Sequence, residues 1–290
     1  MTGAHKTLLA ELGASITALV FSSAGRWIAV GTAQGDVQVW DVLHRQRVAR
    51  LEPDVGLPRS LAFTPGDAAV LSAGTVNSLA VLSPISGHRP PVRFGSLHGA
   101  IYFGDGPFGT GTAAAISKDG TLVATGSFLG PVELYDATSG KLLRTMDGSF
   151  TDTFSLSFSN DGRLLAASTA SDGIAVWSVQ TGKRQASLFG HDGDVCCLRH
   201  SPAGDVLASA DDKGNVVLWN AATFERMARL NVPTSTISDM SFSRDGQTLV
   251  IGGGHGNGML VDVSTGRWID HACRQAGRNL TCDEWTRFVG

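Results

Sequence analysis

Within residues 190–220 the chain gathers side chains that could do chemistry: His191, Asp192, Asp194, Ser209, Asp211 and Asp212. A serine whose proton is taken by a histidine, itself oriented by an aspartate, is the machinery of acyl transfer, but such a triad is recognised by geometry and not by residue types. Asp192 and Asp194 could divide acid and base roles if burial pushed one pKa up. Flanked by Gly193 in a loop, they read instead as solvated carboxylates and as candidate contacts for a partner. The other chemical signals are weaker. TSGKLL (138–143) and TGKR (181–184) lack the earlier glycine and the following Ser or Thr of a phosphate-binding loop. GGGHGNG (252–258) lacks the strand-to-helix context of a dinucleotide site, and His255 within it has no partner ligands at a usable spacing. Glu11, Glu52, Glu133, Glu225 and Glu284 do not fall at matching positions from which carboxylates would converge on a metal. No cofactor or metal is expected.

What positions the His, Ser and Asp is a repeated unit. The stretch SPAGDVLASADDKGNVVLWN (201–220) recurs in outline along the chain. Aligned on the residue that ends LVFS, LAFT, AAIS, LSFS, LRHS and MSFS, the anchors are Ser22, Thr64, Ser117, Ser159, Ser201 and Ser243, separated by 42, 53, 42, 42 and 42 residues. Two or three residues after each anchor stands a glycine (Gly25, Gly66, Gly120, Gly162, Gly204, Gly246), where a tight turn needs positive φ. Eighteen residues after it stand Trp40, Leu82, Tyr135, Trp177, Trp219 and Val261, followed by Asp41, Ser83, Asp136, Ser178, Asn220 and Asp262. Each unit holds about four short apolar runs bounded by Gly, Asp, Asn and Ser, with no helical period to supply crossovers. The sheets should therefore be antiparallel and local, and four strands per 40–45 residues describe a propeller blade.

On these residues the chain resembles the WD-repeat family over nearly its whole length. The strings that carry the likeness are VQVWD (37–41), VELYD (132–136), IAVWS (174–178), VVLWN (216–220) and the Gly190-His191 dipeptide. The resemblance implies an all-β propeller of four-stranded antiparallel blades, with six blades preferred and seven, or an incomplete ring, as the alternative. It also implies a buried hydrogen-bond set that only the fifth unit holds complete: His191, Ser209, Asp211 or Asp212, and Trp219. In that reading the set ties turn to strand and needs no catalytic explanation, because buried polar groups must be paired. The other units should rely more on plain packing.

One propeller domain over 1–290 is expected, with units at about 15–56, 57–97, 109–150, 151–191, 192–233 and 234–273. The longer step adds a glycine-rich loop, 94–112, whose Tyr102, Phe103 and Phe108 either anchor a partner or pin the loop to its own blade. KTLLAEL (6–12) stands where an outer strand would close the last blade, although RWIDHAC (267–273) would already supply that unit's fourth strand. Within 274–290, Thr281 and Glu284 form a capping box, so a short helix should start near Cys282 and dock through Trp285 and Phe288. The tail AGRNLTCDEW is similar to the propeller ends of actinobacterial multidomain signalling proteins, which implies a detached sensor part of such a regulator.

The net charge of −3 and pI near 6.2 give no electrostatic footprint for nucleic acid. The start lacks a signal-peptide core, and no run of about 18 apolar residues offers a membrane span. A cytoplasmic location follows as the expectation. Cys196, Cys197, Cys273 and Cys282 make no ligand series; the adjacent pair should point to opposite faces of a strand, as buried reduced thiols. The function expected is a non-catalytic scaffold or sensor that binds a protein or peptide, with a propeller hydrolase using a polar or metal site at the pore as the alternative.

Overall fold

A computed structural model of the chain describes residues 14–75, 80–95, 113–126, 130–149, 152–169, 173–232, 237–253 and 258–264. Every regular element among them is a β-strand, and each pairs antiparallel with its sequence neighbour. Blade 1 holds β1 (Ile16–Phe21), β2 (Trp27–Thr32), β3 (Val37–Asp41) and β4 (Gln46–Leu51). Blade 2 holds β5 (Pro58–Phe63), β6 (Ala69–Gly74), β7 (Ala80–Pro84) and β8 (Val92–Phe94). Blade 3 follows with β9 (Ala113–Ile116), β10 (Leu122–Gly126), β11 (Glu133–Asp136) and β12 (Leu142–Thr145). Blade 4 is β13 (Leu156–Phe158), β14 (Leu164–Thr169), β15 (Gly173–Ser178) and β16 (Arg184–Leu188). Blade 5 is β17 (Val195–His200), β18 (Val206–Asp211), β19 (Asn215–Asn220) and β20 (Arg226–Asn231). Blade 6 has three strands among the described residues: β21 (Ile237–Phe242), β22 (Thr248–Gly253) and β23 (Gly258–Asp262).

The anchor residue earns its recurrence at the first turn. In every blade its carbonyl accepts from the backbone N–H three residues on, and its own N–H donates to the carbonyl five residues on. Its hydroxyl also accepts the N–H that starts the second strand in five blades, at 2.9–3.0 Å for Ser22, Thr64, Ser117, Ser159 and Ser243. The turn residue three positions on has positive φ, 69–90° at Gly25, Gly120, Gly162, Gly204 and Gly246. Blade 2 meets the same demand with Asp67 at 60°, directly after Gly66, since Asp tolerates that region. The Trp-Asp dipeptide has an equally local cause. Asp41, Asp136, Asn220 and Asp262 each accept a backbone N–H two or three residues on, at 2.7–3.0 Å, and so close the third turn.

Blades pack face to face through five seams. Ala29, Val37 and Val39 meet Val70 between blades 1 and 2, and Leu71, Ala73 and Phe94 meet Val123 and Tyr135 between blades 2 and 3. Trp177 fills the seam between blades 3 and 4, and Leu198, Leu207 and Trp219 fill that between 4 and 5. Met240, Leu249 and Ile251 close blade 6 on blade 5. On the opposite face of blade 6, Leu260 is 71% and Val250 44% exposed, where their counterparts in blade 5, Leu218 and Ala208, are both 0%. KTLLAEL, RWIDHAC, the loop aromatics Tyr102, Phe103 and Phe108, His255, and the helix expected near Cys282 all lie outside the described residues. Among the described residues no helix is long and apolar enough to cross a membrane.

One expectation is corrected. Cys196 and Cys197 do not point to opposite faces; their sulfurs lie 3.1 Å apart, both against the blade 6 side of blade 5. The register slips between Val195 and Cys197, so that Cys196 is the extra residue of a β-bulge and the alternation of faces is lost there. The same slip occurs at the start of β1, β5 and β21.

Candidate functional site

The polar groups singled out in the fifth unit converge. His191 precedes β17, Ser209 lies in β18, Asp211 ends β18 and Trp219 lies in β19, so pairing of Ser209 opposite Val217 and the turn after Asp211 bring all four to one side of the sheet. His191 Nε2 is 2.6 Å from Ser209 Oγ, and His191 Nδ1 is 3.0 Å from Asp211 Oδ2. The Trp219 indole N–H donates to Ser209 Oγ at 2.8 Å. Asp211 Oδ1 accepts from the backbone N–H groups of Lys213 (3.0 Å) and Asn215 (2.8 Å), and the Asn215 amide reaches Oδ2 at 2.9 Å. Asp212, the other aspartate considered for this set, is no part of it, and its Oδ1 is buried without a hydrogen-bond partner.

By distance alone Ser209, His191 and Asp211 form a triad. Its chemistry is blocked: the His191 and Asp211 side chains are 3% and 0% exposed, Ser209 is 0% exposed, and its oxygen already accepts the indole N–H. Burial holds the His191 ring below its ordinary pKa although Asp211 pulls the other way, so the ring is neutral at pH 7. With Nδ1–H donating to Asp211, Nε2 is left to accept the Ser209 hydroxyl proton, and every group in the chain is satisfied without solvent. Asp211 is held low despite its burial, by the Asn215 bonds and by His191.

Other blades solve the same problem differently. In blade 3 the Tyr135 hydroxyl donates to Glu133 Oε2 at 2.5 Å, both side chains being buried, and burial with that carboxylate drives the phenol pKa above its usual range. In blade 4 the Trp177 indole donates to the Asp147 carbonyl at 2.9 Å, crossing to the preceding blade. In blade 1 the Trp40 indole is buried with no partner, while the second turn is held by Asp36, which accepts from Thr32, from Gln38 at 3.2 Å and from Arg50 at 2.8 Å. Glu133 was invisible as an acceptor in the sequence because it replaces an apolar position of the repeat.

Asp192 is ion-paired with Arg229 at the rim, its carbonyl accepts from Lys213, and Asp194 offers its carbonyl to the Asp212 N–H at 3.1 Å. Two residues before the buried histidine, Phe189 is 65% exposed. Sequence reasoning missed it, since an apolar residue ending an outer strand reads as packing. No cluster of three or more His, Cys, Asp or Glu side chains suited to a metal occurs among the described residues.

Two histidines set an acid limit on stability. His200 Nδ1 lies 3.0 Å from Ser157 Oγ, and burial lowers its pKa to about 4 against the opposing pull of Asp161. Like His191 it is neutral when folded, whereas an unfolded histidine, at 6.5, binds its proton earlier. The unfolded state thus carries more protons between pH 6.5 and about 4, and stability falls as pH falls through that window. At about 1.4 kcal/mol per pKa unit, His200 alone should remove up to about 3 kcal/mol by pH 4. Urea midpoints measured from pH 7 to 4 should decline, and the decline should flatten in His200→Gln.

Five four-stranded sheets and a sixth with three described strands, packed face to face in sequence and each opening on the same first turn, define a β-propeller. The family model described as "WD domain, G-beta repeat" matches residues 6–41, 140–178 and 182–220, and with the six blades it supports the WD-repeat propeller family. The last matched stretch contains the whole His191, Ser209, Asp211 and Trp219 set. Comparison with curated proteins gives no match.

Proposed function

We propose that the protein is a non-catalytic interaction platform, a stiff propeller that presents its turns and rim to a protein or peptide. One observation carries the reading: the Ser209, His191 and Asp211 convergence is sealed and spent on its own blade. Blades that contact only their neighbours fix the interior and leave the turns free to vary in chemistry. Phe189, exposed between blades 4 and 5 and three residues before the ion-paired Asp192, supports a contact there, because aromatic anchors dominate interface energies. The loop 94–112, with Tyr102, Phe103 and Phe108, is the second contact region in this proposal. The similarity of the AGRNLTCDEW tail to propeller ends of actinobacterial signalling proteins supports the finer reading of a sensor part of such a regulator.

The hydrolytic alternative has one specific observation behind it, the 2.6 and 3.0 Å spacings of Ser209, His191 and Asp211. Affinity capture and cross-linking from the source cell separate the readings. Capture of one defined protein, lost in Phe189→Asp or on deletion of 94–112 while the melting temperature holds, is the expected result. Metal-dependent or metal-independent turnover of ester, lactone or phosphate substrates, abolished by Ser209→Ala, would overturn it.

A further inference from the structure

The structure assigns to Cys196 and Cys197 a reversible modification site: a vicinal dithiol that a hydroperoxide oxidises to a disulfide. The bulge at the head of β17 turns both thiols to the seam between blades 5 and 6, 3.1 Å apart and unbonded. Two sulfurs of adjacent residues in a regular strand would lie on opposite faces of the sheet, so this approach is a product of the slipped register. Around them stand only carbonyl acceptors. Cys196 Sγ lies 3.5 Å from both Ala210 O and Ile237 O, and Cys197 Sγ 3.7 Å from Ser238 O. The charged neighbours are Arg199 and Asp239, ion-paired to each other at 2.6 Å.

The two thiols are unequal, which orders the steps. Cys196 is half-buried, the more open of the two, while Cys197 is 4% exposed. The hydrogen bond from its neighbour and its burial hold the Cys197 thiol up, so it keeps its proton until the second step. The Cys196 thiolate attacks one oxygen of the hydroperoxide; the S–O bond forms, the O–O bond breaks, and the leaving oxygen departs as water or alcohol after taking a proton. Cys197 sulfur then attacks the sulfenic sulfur, the S–S bond forms, the S–O bond breaks, and water leaves with the Cys197 proton. In sum two thiols and one hydrogen peroxide give one disulfide and two waters. Adjacent Cα atoms sit about 3.8 Å apart across a trans peptide, closer than the usual 4.4–6.8 Å span of a bridge, so the product is strained and readily reduced. Oxidation also removes the S–H contacts to Ala210, Ile237 and Ser238, which couples the thiol state to the packing of blade 6 on blade 5.

The test uses the full chain with Cys273→Ser and Cys282→Ser, so that only this pair reports. After a brief hydrogen peroxide pulse, alkylation and peptide mass spectrometry should show both thiols lost together, the peptide lighter by two hydrogens, and full recovery with dithiothreitol. Cys197→Ser should instead trap a dimedone-reactive sulfenic acid at Cys196. A trivalent aryl arsenical, which condenses with two thiols and releases one water, should bind the reduced protein one to one and shield it from oxidation. Oxidation of Cys196 to sulfinic acid with Cys197 still alkylatable, or failure of the arsenical to bind the folded protein, would overturn the assignment.

Discussion

Replacing Asp211 with alanine is expected to cost about 3–5 kcal/mol of unfolding free energy, the range for removing one partner of a buried charged network. The carboxylate takes bonds from the backbone of Lys213 and Asn215, the Asn215 amide and His191, all at 3.1 Å or less. Its removal strands several buried donors at once, and each unsatisfied group costs about 1–3 kcal/mol. Asp211→Asn should lose less, because its carbonyl still accepts while its NH2 faces the donors. Urea unfolding of both variants, and of each combined with His191→Ala, checks this. A coupling energy near zero between positions 191 and 211 would show that the 3.0 Å contact contributes nothing.

Trp177→Ala should be comparably severe. The ring is 0% exposed, lies in the seam with Leu134, Met146 and Leu156, and carries the Arg184 guanidinium 5.5 Å from its centroid. Truncating a buried tryptophan removes its transfer free energy and leaves a cavity, together about 3–5 kcal/mol. Its indole bond to Asp147 O spans two blades, so the damage should fall on the seam and not only on blade 4. Trp177→Phe separates the two contributions. It keeps most of the apolar volume but leaves the Asp147 carbonyl without that donor, and should cost about 1–2 kcal/mol. Trp219→Ala offers the comparison for a seam tryptophan whose indole bond stays inside one blade, within the Ser209 set.

The fold was legible because its signal is redundant. Anchors, turn glycines and ring positions repeat in register, and each has a local cause in the turn bonds of Ser22 through Ser243. The fifth-unit set was equally readable in kind, though the choice between Asp211 and Asp212 turned on which carboxylate faces His191, and spacing alone does not carry that. Three features were hidden for physical reasons. The Cys196–Cys197 approach depends on a bulge, and an extra residue in one strand leaves no mark on the apolar pattern. The buried Glu133 acceptor sits where five blades place other side chains, so periodicity averages it away. The exposure of Leu260 and Val250 depends on what lies beyond blade 6, while their sequence positions match residues that are fully buried elsewhere.

In the function proposed above, His191, Ser209, Asp211 and Trp219 brace a blade and perform no reaction. Covalent labelling of the native protein with a fluorophosphonate, located by peptide mass spectrometry, tests it most directly. The account predicts no adduct at Ser209 in the folded chain. One adduct per chain at Ser209, formed rapidly in the wild type and lost in His191→Ala, would contradict it.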